Sequence, residues 1–384
     1  MKKFFFGGVV LVCMLVFLQQ GLAAKPVPSV MYQFLARVVD LSPFIYDQEA
    51  FVTDKNSKKI AQDLQAMQEL SAELTHHTRL TTPGYEKSAG VFIENINRVH
   101  DAFEHGHKAY AYRLVRSTLH ACSSCHTQEK SMKSMHWDFS SMNLPKKVLD
   151  QANLYYTVRG FEQAWTRYKE VVSSYGKKHS NNHDLDQALD RLLIIALRVD
   201  RDPKKVRTFL EGLGPLKLPA YFQNQNAQWI TELQNLEKEQ GYQFLDKTGP
   251  AFESYINDLY RSVYPFARPG RSQKVVMEYA TGMMFEFINN RPQDITQGML
   301  YWLGVSNLEL DEFEAALLGE QFLQDCIEKY RPTLISHQCF TALEDQWVIG
   351  FSGSSGIYLP FDLEKKLKDY RQKLNIDQPW RNQL

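Results

Sequence analysis

Helical spacing runs through almost the whole chain, and no stretch alternates as a half-buried strand would. Between Pro28 and Leu41, Met31, Leu35 and Val38 fall on one face, with Phe34 beside them. Asn56 to His76 carries Ile60, Leu64, Met67 and Leu74 in the same way. The segment "TTPGYE" (Thr81 to Glu86) holds Pro and Gly together and predicts a break. Ser88 to Glu104 then carries Phe92, Ile96, Val99 and Phe103. Gly106 punctuates again, and a fourth helix is expected from His107 to Lys130. Residues three and four apart share a helix face, so each segment has one apolar side to bury. Four such segments with short breaks predict an all-α chain whose first unit, residues 25–143, is an antiparallel four-helix bundle.

From residue 144 to residue 384 the pattern stays helical but changes character. Eight of the eleven histidines precede residue 145. The stretch Ser131 to Pro145, rich in Ser and Met, reads as a linker or a packing arm. Val148, Ala152, Tyr155, Phe161, Ala164, Tyr168 and Val171 then follow the small-and-aromatic spacing of a tetratricopeptide hairpin. Leu303, Gly304, Phe313, Ala316 and Leu323 make a weaker second match, with Glu320 where an aromatic is usual. The expectation is an irregular helical-repeat array, with an ordinary helical domain as the alternative. On this reading a fragment from Leu144 to Leu384 folds by itself.

The stretch "STLHACSSCHTQEK" (Ser117 to Lys130) carries the chemistry. With 5 Cys and 11 His in 384 residues, chance supplies roughly 0.002 matches to C-x-x-C-H. On a helix, Ala111, Val115, Thr118, Cys122 and Cys125 form one stripe with His126 beside it. Cys122, Cys125 and His126 can then meet one flat ligand. Two thioethers and an imidazole from the same side are what haem c requires, and the motif is read as its attachment site. A zinc site from His120, Cys122, Cys125 and either His126 or His136 is a rival, but no second zinc spacing occurs. A redox dithiol would need a βαβ context, which is missing, and a Cys122–Cys125 disulfide would strain the helix.

The N-terminus supports the same reading. Lys2 and Lys3 precede an apolar run from Phe4 to Leu18, and Gly21-Leu22-Ala23 supplies small residues. This predicts a signal peptide over residues 1–24 and a periplasmic mature chain. No later stretch is apolar and long enough to span a bilayer. Removing Lys2 and Lys3 from 44 basic residues leaves 42 against 44 acidic ones, a balance that gives no reason to expect nucleic acid. An oxidising compartment lets Cys326 and Cys339 pair across the turn "RPTL" (Arg331 to Leu334).

A motif that closes a fourth helix resembles the class II c-type cytochromes, the cytochrome c prime and cytochrome c-556 family. Their last helix ends in a motif like A-C-x-x-C-H-x-x-Y-R. Here Ala121, Cys122, Cys125 and His126 are kept, Lys130 takes the basic position, and Glu129 replaces the aromatic. The resemblance covers Pro28 to Lys130. It implies one covalent haem c, with His126 as the proximal iron ligand. It also implies either an apolar residue or a Met from the first helix on the distal side, where Met31 is the candidate. Met67 lies on the second helix, and the histidine richness offers a third option, bis-His ligation by one of His76, His77, His100, His105, His107, His120 or His136. Ligand identity sets the redox potential.

The expected function is electron transfer by an exported monohaem cytochrome that is not an enzyme. The repeats would dock a periplasmic redox protein or a membrane-bound electron-transfer complex. A gas or redox sensor with five-coordinate haem, or an assembly scaffold, is the alternative.

Overall fold

The computed structural model describes residues 27–74, 78–128, 144–176, 181–239, 241–263, 273–310, 313–354 and 356–376. The apolar N-terminal run, His76, His77, His136 and most of the expected linker lie outside them. The described chain is all-α except for one antiparallel hairpin of two-residue strands. Among the described residues, no helix is long and apolar enough to cross a membrane.

Four long helices and one short one make the N-terminal group. They are α1 (Val27–Ile45), α2 (Gln48–Val52), α3 (Asp54–Leu74), α4 (Pro83–Glu104) and α5 (Lys108–His126). α1 runs four residues past the expected Leu41, despite Pro43 near its end. Proline cannot donate to the carbonyl four residues back. The Ser42 hydroxyl donates to that Val39 carbonyl instead, at 2.8 Å. The break before α4 is tighter than "TTPGYE" suggests, because Pro83 opens the helix itself. A proline at the first helical position has no N–H to satisfy and a φ already suited to the helix.

Ion pairs clip α1 to α3 in antiparallel order. Arg37 reaches Asp63 at 3.0 Å, and Lys59 reaches Asp63 at 2.8 Å and Asp40 at 3.4 Å. At the α2 end, Phe51 sits edge-on between Phe103 and Tyr112, 5.5 Å from each. The short helix α2 was invisible to periodicity because five residues hold little more than one turn.

After residue 144 come α6 (Val148–Thr157), α7 (Phe161–Ser173), α8 (Asn182–Ile194), α9 (Pro203–Glu211), α10 (Ala220–Leu236), α11 (Gly249–Val263) and α12 (Lys274–Asn290). They continue as α13 (Gln297–Glu309), α14 (Phe313–Glu328), α15 (Leu334–Gly350), the hairpin β1 (Ser352–Gly353) and β2 (Gly356–Ile357), and α16 (Phe361–Leu374).

α6 and α7 pack as a hairpin, with Ala152, Ala164 and Tyr168 fully buried. Its turn uses Arg159 in the left-handed region, at φ 65°. α13 and α14 form a second, closer hairpin. A Cβ on Gly304 would stand 2.5 Å from the Leu323 side chain, and one on Gly319 would stand 2.7 Å from the Gly304 carbonyl. Cys326 and Cys339 are joined by a disulfide between α14 and α15, with Cα atoms 6.3 Å apart. α8 passes without interruption into a π-helical turn, Ile195–Asp200. α12 is buried almost all round and touches α8, α10, α11 and α13.

The two parts share one apolar core. α4 packs on α12 and α14, and α5 packs on α6 and α14. A fragment starting at Leu144 would therefore expose the α12 and α14 surfaces that α4 and α5 cover.

Candidate functional site

The motif occupies the last two turns of α5. Ala111, Val115 and Thr118 lead down the expected stripe and are fully buried, while Cys122, Cys125 and His126 are half-buried at its end. Neither motif cysteine is in a disulfide. The Cys122 thiol lies 3.9 Å from the Thr118 carbonyl. Burial pushes the Cys125 thiol up to about 12, opposed only by a hydrogen bond from Ser88 on α4. Burial likewise lowers His126 to about 3; Arg159 adds to the fall, and the Thr157 carbonyl opposes it. His126 thus sits against the α6–α7 turn as a neutral imidazole, and its Nδ1 is buried without a hydrogen bond.

A second buried group without a partner lies on α4. Asn95 on α4 is 1 % exposed, and neither its amide nitrogen nor its oxygen has a partner. It stands seven residues beyond Ser88, on the same face of α4. Buried amides are almost always satisfied, so an exception needs a cause.

The residues just past the motif are fully bonded. Gln128 donates to the Ser88 hydroxyl at 2.7 Å and to the Gly84 carbonyl at 3.3 Å, and accepts from Asn289 of α12 at 2.9 Å. The Asn289 oxygen accepts from the Thr82 hydroxyl and the Gly84 N–H, both at 3.0 Å. A Cβ at Gly84 would come within 2.7 Å of both amide oxygens, so the glycine of "TTPGYE" is what lets the helices close here. Lys87 adds an ion pair to Asp325 of α14 at 2.7 Å. Sequence reading missed this seam. The residues that bond Asn289 lie up to 207 residues from it, and only the small residues Gly84 and Ser88 hinted at a close approach.

The opposite face of the motif turns inward. Ser123, Ser124 and Thr127 line a cavity of about 30 Å³ with Arg191, Arg198 and Glu278. Arg198 and Glu278 are an ion pair at 2.5 Å, buried to 7 % and 1 % exposure. The cavity has room for about one or two waters.

Other candidates are placed less centrally. Met31 is half-buried on the first turns of α1, while its neighbour Val30 is fully buried. α1 is antiparallel to α3, α3 to α4 and α4 to α5, so Met31 lies toward the motif end of the group. Met67 is fully buried core on α3. His105 and His107 are exposed at helix ends, and the His100 Nδ1 lies 3.6 Å from Asp101. Among the described residues, no three His, Cys, Asp or Glu side chains converge as a metal site. The zinc alternative gains no ligand set from them, although His136 and the side chain of His120 lie outside.

The motif residues fit a covalent haem. Two thiols one turn apart and an imidazole share one side of a helix, and one imidazole nitrogen and one buried amide have no partner in the polypeptide. No family model matches the chain, and neither a curated protein nor a solved structure shows significant similarity to it.

Proposed function

We propose that this chain is an exported monohaem c-type cytochrome that carries electrons, with a class II-like four-helix haem unit followed by a tetratricopeptide-like docking array. The observation that carries the reading is the placement of Cys122, Cys125 and His126 on the final turns of one helix. Haem c, when bound, supplies a reversible one-electron change at its iron. Cys122 and Cys125 would hold it through thioethers, and His126 would give the proximal nitrogen. Burial holds His126 neutral, the form that binds iron. The fully bonded Gln128–Asn289 seam fixes the end of α5 against α12. The repeats would present a surface to a periplasmic redox protein or a membrane-bound electron-transfer complex.

The test is expression in a host competent in cytochrome c maturation. A denaturing gel stained for haem should show the band, and Cys122→Ala with Cys125→Ala should abolish it. His126→Ala should shift the Soret band or lose the haem. A colourless wild-type protein ends the proposal. Carbon monoxide added to the reduced protein separates the alternatives: ready binding favours the gas sensor, and a six-coordinate low-spin spectrum favours electron transfer.

A further inference from the structure

The sixteen residues 346–361, "QWVIGFSGSSGIYLPF", contain no charged side chain. At the chain's 23 % charged composition, about four would be expected. The same stretch holds four of the eight large hydrophobic residues exposed among the described residues. Ile349 is 72 % exposed, Phe351 41 %, Tyr358 72 % and Phe361 83 %. Tyr32, Tyr110, Tyr221 and Leu334 are scattered singly elsewhere, which is ordinary for a surface.

The hairpin pairs two of these side chains, and the other two flank it in the chain. β1 and β2 pair Ser352 with Ile357 and Gly353 with Gly356. The Tyr358 N–H donates to the Phe351 carbonyl at 3.1 Å, extending the ladder by one pair. Residues opposite each other in an antiparallel pair project to the same face, so Phe351 and Tyr358 stand side by side. Ile349 closes α15 just before them, and Phe361 opens α16 just after. The hairpin is held from behind, because α15 buries Phe340, Leu343 and Trp347, and α16 buries Leu367, Tyr370 and Leu374. Its own apolar side chains are left facing solvent.

We propose that this hairpin docks the protein on a lipid surface by inserting Ile349, Phe351, Tyr358 and Phe361 among the head groups. The four side chains offer about 500 Å², short of the roughly 800 Å² per partner of a stable protein interface. A bilayer needs no shape complementarity and accepts uncharged aliphatic and aromatic residues at its interface. Nearby Lys365, Lys366 and Lys368 are balanced by Asp362, Glu364 and Asp369. The contact is therefore apolar and does not select anionic lipid. This inference is independent of the haem reading.

The test is flotation of the chain beginning at Lys25 with vesicles of phosphatidylcholine, with and without phosphatidylglycerol, at low and high salt. Starting at Lys25 removes the apolar N-terminal run. The protein should float with both vesicles at both salt levels. The triple variant Phe351→Ser, Tyr358→Ser, Phe361→Ser should bind about tenfold or more weakly with unchanged circular dichroism. Tyr221→Ser, which alters an isolated exposed aromatic, should bind as the wild type does. The proposal is overturned if the wild type stays in solution, or if the triple variant floats equally. It is also overturned if flotation needs phosphatidylglycerol and vanishes in salt. A wild type that dimerises without floating, and a triple variant that is monomeric, would assign the patch to a second copy instead.

Discussion

Two buried asparagines behave in opposite ways. Asn289 on α12 uses both ends of its amide, bonding Gln128, Thr82 and Gly84 across the seam. Asn95 on α4 is more deeply buried and bonds nothing with either end. An unsatisfied buried amide costs about 1–3 kcal/mol. The contrast extends to the ionisable groups: α12 pairs Glu278 with Arg198, whereas α5 ends on His126 with a bare Nδ1. The seam amide is saturated and the Asn95 amide is not.

Four substitutions can break or sharpen this contrast. The largest effect belongs to Glu278→Ala, which leaves the Arg198 charge buried alone and should cost about 3–5 kcal/mol in denaturant unfolding. A loss below 1 kcal/mol would mean that the pair is not a structural element of α12. Next comes Asn289→Leu, which strips partners from Gln128 and the Gly84 N–H. It should cost about 1–3 kcal/mol, and an unchanged midpoint would erase the distinction between the two asparagines. Asn95→Leu should act with the opposite sign. Removing an orphaned amide at similar volume should stabilise the colourless protein by about 1 kcal/mol. A destabilisation of that size would show that Asn95 has a partner after all.

The smallest effect concerns Glu232 on α10, whose Oε2 is buried without a partner while Gln228 donates to the other oxygen. Burial pushes its carboxyl up to about 7, partly offset by Gln228. The folded chain then keeps this proton to higher pH than the unfolded chain. The associated stability is full below the unfolded pKa, roughly pH 4, and is lost as pH rises through about 7. Glu232→Gln should flatten that slope and raise stability at neutral pH by on the order of 1 kcal/mol. A slope identical to the wild type's would assign the pH dependence to other groups.

Local signals were legible in the sequence and distant ones were not. Apolar faces such as Ile60–Leu64–Met67 and the stripe ending at Cys125 lie within one helix, so their period could be read directly. The α6–α7 hairpin was readable for the same reason, since Ala152, Ala164 and Tyr168 are local. The seam was hidden because Gly84 and Asn289 each look unremarkable alone; only folding makes them neighbours. The total burial of α12 was hidden too, because a helix covered on every side has no polar face to give it period. Asn95 gave no signal, since a single Asn on an apolar stripe reads as an ordinary interruption.

The close crossing of α13 and α14 has a consequence for how this chain can change over generations. Gly304 and Gly319 meet where any added carbon strikes either a packed leucine or a carbonyl. An alanine at either site must first push apart two helices, one of which, α14, is also tied to α15 through the Cys326–Cys339 link. A change at either glycine is expected to need a compensating change across the crossing. Descendants that lose one are expected to carry a smaller residue at Leu323 or a wider turn between the helices.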